Sequence, residues 1–549
     1  MEKELIDIAD YFQMKKYDDD FINFITFRKP TIQSSSMEPS SKKIFILNDD
    51  STDDEKLTMF YETTMKAKKF IDDAMNNYMK NKKKIKNKNK NKLKNKKNLY
   101  PITLLSSKEF LDTIMLQLKS LNRLVERDSS SNWLILPLFI VANQIFKIFS
   151  QLKDQVTHPN LKFNINSIPD CNKLPIKTKI VKEFLEDCAR NIHRSFSLCL
   201  NDKNPNLRKN KKIGIILFSN LEFKIYHKLQ NKDMIKNLIK VLNSNNVLTQ
   251  QQQQQNAVNN ADLTTFYKSH VVMFNYFMGQ YYGCYESDFN LACNYLNNAL
   301  MECPDPKKII ITSPSTINSI WRRLLILLIP FTILTRKTYP NLDYILNNIF
   351  INIEDNHAKE IKDIFHPIIQ CFKTGNLQKF DETFKQNEYF YLENGIYVAM
   401  TLIRELVFLK LIKNCYKIWL TINDGKNNKF VIPLPFLLIG YLKSLGAQQE
   451  LIQQIVVADD NDSASGSHQE QQQSSAHPRG QRETQTRYKN KKQLPMTSKE
   501  TRELILDEIE CHLANLISKN YIKGYLSHGN RCLVISKTVP FPKLATKNG

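Results

Sequence analysis

The sequence lacks the marks of the common enzyme classes. It contains no GxGxxG, no GxxxxGK[ST], no HExxH and no GxSxG, so glycine-rich phosphate cradles, the zinc-protease helix and the nucleophile elbow are missing. None of its 10 histidines stands in a metal-ligand spacing. Its 10 cysteines are scattered, no two within four positions, which excludes a CxxC pair or zinc ribbon and suits a reduced compartment. The amino terminus, MEKELIDIADYF, is acidic and amphipathic without the apolar centre of a secretory leader. No apolar run reaches the roughly 20 residues of a membrane span. The longest, residues 133–142 and 324–334, are interrupted by Pro137 and Pro330 and read as buried helices. The expectation is a soluble, intracellular protein with no catalytic residues, no metal, no cofactor and no membrane partner.

What is abundant is positive charge. Lys plus Arg number 78 against 55 Asp plus Glu, a balance of +23. Residues 80–97, KNKKKIKNKNKNKLKNKK, hold eleven of the lysines and no acid; removing them leaves +12 on the rest. Such a balance favours phosphate backbones, anionic membranes or acidic protein partners. The run itself admits two readings, a nuclear address or electrostatic grip on one side and compositional bias on the other. The Arg/Lys cluster at 479–492 reads the same way.

Along the chain the apolar period is mostly helical. Residues 1–98 read as a helical amino-terminal segment, with helices over 1–30 and 57–79, ending in a disordered Lys/Asn run. Residues 99–250 read as helical repeats; Leu111, Met115, Leu118, Leu121 and Val125 make one buried stripe, and Pro159, Pro169, Pro175 and Pro205 mark loops. A Gln/Asn linker occupies 251–261. Residues 262–427 read as helix pairs, one of them close to a tetratricopeptide unit. There Gly279, Ala292 and Ala299 let two helices approach, Tyr282 and Leu296 fill the space between, and Pro304 ends the unit. Arg322 and Arg323, on an apolar helix, read as an internal pair or a solvated face rather than part of a basic surface. The expected architecture is mainly α, an α-solenoid of irregular helix pairs.

Residues 428–549 read differently. An apolar helix over 431–447 precedes a disordered insertion at 459–492. A second helix starts at a capping box, Thr497 and Glu500, buries Ile505, Ile509, Leu513 and Leu516, and ends near Asn520. Two alternating strands follow, joined by a type II′ turn at Gly529-Asn530. A two-stranded sheet is marginal alone and needs the helix to pack on. Helices followed by such a hairpin make a winged helix.

Helical repeats capped by a winged helix are the architecture of PCI domains. The text NLISKNYIKGYLSH…LVISKTVPFP resembles the carboxy-terminal signature of the PCI domain-containing protein 2 family, which includes signalosome subunit 12-like members. Asn515, Leu516, Ile517, Ile522, Lys523, Gly524, Tyr525, Ser527, His528, Leu533, Val534, Ser536, Lys537, Pro540, Phe541 and Pro542 match the signature. Leu526 stands in place of Ile, Asn520 of Gly and Val539 of Asn. LLILLIPFTILTRKTYP resembles a further family segment. The resemblance implies a non-enzymatic subunit of an mRNA-export complex in the nucleus, including nuclear pores, and also in the cytoplasm. Its implied partners are a GANP-type scaffold, a small acidic disordered subunit shared with the proteasome lid, and RNA or DNA held through backbone contacts. The alternative is a PCI subunit of a proteasome-lid or COP9-signalosome-type assembly, in which the winged helix joins its neighbours by edge-to-edge strand pairing.

Charge segregation makes the winged helix the candidate nucleic-acid site. Glu500, Glu503, Asp507, Glu508 and Glu510 come early in its last helix, and from residue 511 onward there are six Lys/Arg and no acid. The candidate contacts are Lys519, Lys523, His528, Arg531, Lys537 and Lys543, with Lys547 beyond. Phosphate contacts from such a set give salt-sensitive affinity with little sequence readout. The competing reading is a solvated set answering the helix dipole. Tyr521 and Tyr525 either stack on bases or pack, and His528 touches phosphate or serves the turn. Charge reversal at Lys519, Lys523, Arg531 and Lys537 is expected to weaken RNA binding without unfolding the domain.

Overall fold

In a computed structural model of the chain, the described residues are 5–26, 44–46, 55–86, 107–157, 178–206, 209–245, 261–303, 314–350, 355–424, 429–457 and 498–542. Outside them lie Pro159, Pro169, Pro175, Pro304, Thr497, Lys543, Lys547, residues 87–98 of the lysine run, most of the 251–261 linker and the 459–492 insertion. The chain divides into two compact units, Met1–Met278 and Gly279–Gly549.

The first unit opens on a strand where a helix was expected. Strand β1 (Leu5–Asp7) pairs in parallel with β2 (Ile44–Ile46). Asp7 and Asp18 then cap two short helices, α1 (Ile8–Met14) and α2 (Asp19–Ile25), by accepting from Ala9 N and Phe21 N. Two caps eleven residues apart leave no room for one long helix, and α1 stops at Lys15 in the left-handed region, φ 52°. Helix α3 (Glu55–Lys86) runs several residues into the lysine tract expected to be disordered. Lysine is a good helix former, and extending an established helix needs no new nucleus.

Helices α4 (Lys108–Arg127), α5 (Ile135–Thr157), α6 (Thr178–Leu200), α7 (Gly214–Leu229) and α8 (Lys232–Ser244) follow in this unit, which runs on to Met278. The stripe from Leu111 to Val125 on α4 is buried, as its spacing requires. Pro137 sits in the first turn of α5, where its missing N–H costs nothing. Polar side chains bind these helices from within. Asn122 donates to Asn191 O at 3.3 Å and accepts from Ser195 Oγ at 2.8 Å, joining α4 to α6. Buried Lys211 donates to Val125 O at 2.6 Å, capping the end of α4. Asp128 gathers Ser131 Oγ, Ser130 Oγ, Lys15 Nζ and Trp133 Nε1 at 2.7–3.2 Å.

The second unit begins within α9 (Ala261–Cys284) and continues through α10 (Phe289–Glu302), α11 (Pro314–Arg336), α12 (Leu342–Ile349), α13 (Asn356–Thr374), α14 (Leu377–Gln386), α15 (Glu388–Glu393) and α16 (Tyr397–Ile422). The tetratricopeptide-like contact is present: a Cβ on Gly279 would come within 2.6 Å of Leu296, and the Tyr282 ring stacks on Tyr295 at 5.6 Å. Pro330 does not break α11. One backbone bond is lost there, but α11 is packed by α10, α13 and α16. Residues 135–152 and 318–336 are thus helices long and apolar enough to cross a membrane, and 61% and 67% of those windows are buried inside the protein. Arg322 forms the internal pair expected of it, a bidentate bond to Glu360 at 2.6 and 2.5 Å, while Arg323 is exposed.

The last elements are β3 (Val431–Pro433), α17 (Leu434–Ser444), α18 (Gln449–Val457), α19 (Ser498–Ser518), β4 (Gly524–Ser527) and β5 (Cys532–Ile535). The wing has three strands rather than the expected two, in order β3-β5-β4, all antiparallel. Residues 431–433, read as the start of a helix, supply the third strand. The helix starts only after Pro433, itself extended at φ −63°, ψ 137°. The architecture is a helical solenoid followed by a winged helix.

Candidate assembly and nucleic-acid surface of the winged helix

Helix α19 presents the wing, and its buried stripe is Leu506, Ile509, Leu513 and Leu516, with Ile505 only half-buried. Its end explains one departure from the family signature. Asn520 has φ 59°, and the N–H groups of Asn520 and Tyr521 return to Ile517 O and Leu516 O at 2.9 and 2.8 Å. This Schellman arrangement needs a left-handed residue, and asparagine tolerates that conformation better than any other side chain except glycine's hydrogen. Tyr441 on α17 donates to Glu508 at 2.8 Å, and the His512 ring lies 5.2 Å from Phe408 of α16, which fixes α19 against both neighbours. His512 therefore packs.

Gly524 starts β4 because a Cβ there would fall inside the Val534 carbonyl oxygen of β5. The turn differs from the expected two-residue type. Ser527 pairs with Cys532, leaving a four-residue loop closed by Arg531 N donating to His528 O at 3.1 Å. The left-handed position is Arg531, φ 43°, and not Gly529. A non-glycine residue seldom adopts this backbone without support, and the support is visible. The Arg531 guanidinium lies 2.7 Å from Glu503, 2.7 Å from Asp507 and 2.9 Å from Glu510. These three acids sit three and four positions apart on one face of α19.

The basic candidates therefore meet different fates. Arg531 is a clamp between wing and helix. His528 Nδ1 lies 2.7 Å from Glu510 Oε2. Burial alone would raise the Glu510 carboxyl, but His528 and Arg531 outweigh it and hold the group below the usual carboxylate range. Lys519 pairs with Glu405 of α16. Lys523 and Lys537 are exposed and have no carboxylate partner among the described residues; Lys537 Nζ lies 6.0 Å over the Phe430 ring. Lys543 lies outside the described residues. The segregation of acid and base along the sequence thus becomes pairing in space, because the hairpin folds back beside the helix. Charge reversal at Arg531 or Lys519 would put like charges together and loosen the domain, contrary to the expectation that all four positions are dispensable for folding.

Tyr525 is 62% exposed, while Tyr521 is half-buried beneath Lys337 Nζ at 5.3 Å. The PFP ending packs: Phe541 lies 5.5 Å from Tyr416 and 5.3 Å from Lys413 Nζ. β4 is an edge strand. Ser536 N donates to Lys523 O at 2.8 Å, so by alternation Tyr525 and Ser527 also point their backbone groups toward β5, and Gly524 and Leu526 point theirs outward. No strand covers that edge among the described residues.

The PCI domain family matches residues 490–537, which include α19, β4 and β5. The Cop9 signalosome complex subunit 12 of Saccharomyces cerevisiae is 31% identical over 544 residues, covering 98% of this chain and 99% of its own. The chain belongs to the COP9 signalosome complex subunit 12 family of PCI-domain proteins. The family member of Candida glabrata is 33% identical over 429 residues, 78% of this chain and 77% of its own. A PCI domain-containing protein 2 homolog of Caenorhabditis elegans is 25% identical over 362 residues, 66% of this chain and 63% of its own. The resemblance read from the KGYLSH…LVISK text thus extends along the whole chain in the subunit 12 family. The acids that clamp Arg531 were missed in sequence, although their spacing at 503, 507 and 510 was a usable signal.

Proposed function

We propose that this chain is a non-enzymatic PCI scaffold subunit of a multisubunit assembly of the signalosome type, acting in nucleus and cytoplasm. The open edge of β4 carries the proposal. A partner's strand would bond to the outward N–H and C=O groups of Gly524 and Leu526, while the Arg531 clamp keeps the wing rigid against α19. Main-chain pairing of this kind supplies affinity without a deep pocket. The names of the subunit 12 relatives support this reading over an export complex. The test is affinity purification of the tagged chain with mass spectrometry, alongside Leu526→Pro. Proline at that outward position removes a donor from the edge and none from the β4–β5 ladder. Loss of stoichiometric partners with an unchanged thermal melt is expected. Partners retained in full would overturn edge pairing.

A second reading has its own observation. Lys523 and Lys537 have no carboxylate partner among the described residues, as a phosphate-contacting surface requires, and the worm relative carries the name of the family whose carboxy-terminal signature this chain resembles. On this reading the chain pairs with a GANP-type scaffold and a small acidic subunit, contacts RNA or DNA, and works in mRNA export at nuclear pores. The same purification separates the two by which proteins come down.

A further inference from the structure

One member of the Asp128 cluster faces solvent. Ser130 is exposed in the connection from α4 to α5, which is irregular over 128–132. Its hydroxyl is engaged from both sides. It donates to Asp128 Oδ1 at 2.8 Å and accepts from Lys15 Nζ at 2.6 Å. Lys15 comes from the residue that ends α1 and reaches Asp128 Oδ1 as well, at 3.1 Å. Asp128 has further donors in Ser131 Oγ at 2.7 Å, Ser130 N at 3.1 Å and Trp133 Nε1 at 3.2 Å. Burial alone would raise the Asp128 carboxyl, but hydrogen bonds from Ser131, Ser130 and Lys15 outweigh it and hold the group well below the usual carboxylate range. Lys15 is thus shared between an anion with three other donors and a neutral oxygen. Arg127, also exposed, stands three positions before Ser130, whereas Glu126 stands three before Ser129, and Ser131 is half-buried.

We propose that Ser130 is a phosphorylation site and that Lys15 receives the phosphate. The guanidinium of Arg127 is what a kinase with an acidic cleft would read. In the step, Ser130 Oγ attacks the γ-phosphorus of ATP held by that kinase. The Oγ–P bond forms, the bond from phosphorus to the β-phosphate oxygen breaks, ADP departs, and the hydroxyl proton passes to the kinase's base. The ester oxygen then has no proton to give Asp128, so the 2.8 Å contact becomes one between two acceptors and the side chain turns toward solvent. The phosphate carries close to two negative charges at neutral pH, against one on Asp128, and adds three strong acceptors, so Lys15 goes with it. Asp128 keeps Ser131 Oγ, Ser130 N and Trp133 Nε1. A neutral bridge from the end of α1 to the α4–α5 connection is replaced by a charge-assisted ion pair. A serine without a cation in place would gain charge alone. The site lies wholly within the first unit, so neither reading of the wing depends on it.

The test has two arms. In the first, the full chain is incubated with magnesium, ATP and the catalytic domain of a calmodulin-dependent protein kinase, an enzyme that reads a basic residue three positions before its serine, and the phosphate is located by mass spectrometry. A free peptide of residues 121–135 serves as the positive control. Phosphate on Ser130 is expected, abolished at that position by Ser130→Ala and slowed about tenfold or more by Arg127→Gln. A kinase that labels the peptide and leaves Ser130 of the folded chain untouched would overturn the site. In the second arm, the full chain carrying phosphoserine at 130, introduced during synthesis, is titrated by phosphorus NMR. The second ionisation of the phosphate is expected about one pH unit or more below its free value of about 6. Lys15→Gln should return it to about 6, and Lys15→Arg should keep it low, which separates loss of the charge from loss of the fold. A phosphate titrating at about 6 in the parent chain, or one indifferent to Lys15→Gln, would overturn the role of Lys15.

Discussion

Helices α4, α6 and α7 meet through buried polar side chains, whereas the second unit buries fewer, Asn318, Thr383, Asn423 and Arg502 among the described residues, and keeps its strong ion pairs near the surface. In the first unit Asn122, Gln117, Ser195, Asn220, Lys211 and Glu222 are buried. Gln117 reaches Thr64 Oγ1 at 3.1 Å, and Asn220 donates to His270 O at 2.8 Å. In the second unit the corresponding work falls to half-exposed arginines. Arg322 holds Glu360, Arg404 holds Asp381 at 2.7 and 2.8 Å, and Arg531 holds three acids. An interior hydrogen bond fixes one register because breaking it strands a dry polar atom. A surface clamp is screened by water and salt, and releasing it leaves the core intact. The first unit is therefore specified from inside and the second is braced from outside.

The largest test of this contrast is Asn122→Ala, which should cost about 2 kcal/mol in denaturant unfolding, alike at about 0.1 M and about 1 M salt. Arg531→Met should cost about 1 kcal/mol at low salt and much less at about 1 M. Equal salt dependence of the two would erase the distinction. The smallest test is pH. His193 Nδ1 lies 3.2 Å from buried Glu222, and that hydrogen bond raises the imidazole above its ordinary 6.5. Burial raises Glu222 as well. The stability from His193 is present below about pH 6.5 and is lost as pH rises through the raised value. Glu510 is held below its ordinary 4.5, so its contribution is present above that pH and lost as pH falls. Mild alkali should thus loosen the first unit, whereas strong acid releases Glu510 in the second and also Asp128 in the first, which hydrogen bonds from Ser131, Ser130 and Lys15 hold low against burial. Limited proteolysis at about pH 5 and about pH 8.5, with fragments identified by mass, should show the first unit cut faster at the higher pH and the second unit unchanged; a first unit cut equally at both would contradict it.

The parts legible in the sequence were those with a long period or a dense local signature. The α4 stripe, the helix pair at Gly279 and the KGY strand all carried enough repeated positions to decide the matter. Strands β1, β2 and β3 are three residues each, too short for alternation to register, so two were read as helix. Pro330 misled because its cost is local, while the packing that offsets it comes from other helices. The end of the chain is rich in base by sequence, but its pairing with acids depends on a hairpin folding back beside α19, which no local pattern states. The Asn520 substitution was visible as a departure and became intelligible only with its backbone angle.

Helix α16 spans 26 residues, about 39 Å at 1.5 Å per residue. Its adjacent residues Arg404 and Glu405 face opposite tasks, one tied to Asp381 on the repeat helix α14 and the other to Lys519 at the root of the wing. Phe408 and Tyr416 extend the second attachment along the same rod. In mechanical terms α16 is a crankshaft. A load applied at β4 would reach the helical repeats as torque on one stiff element.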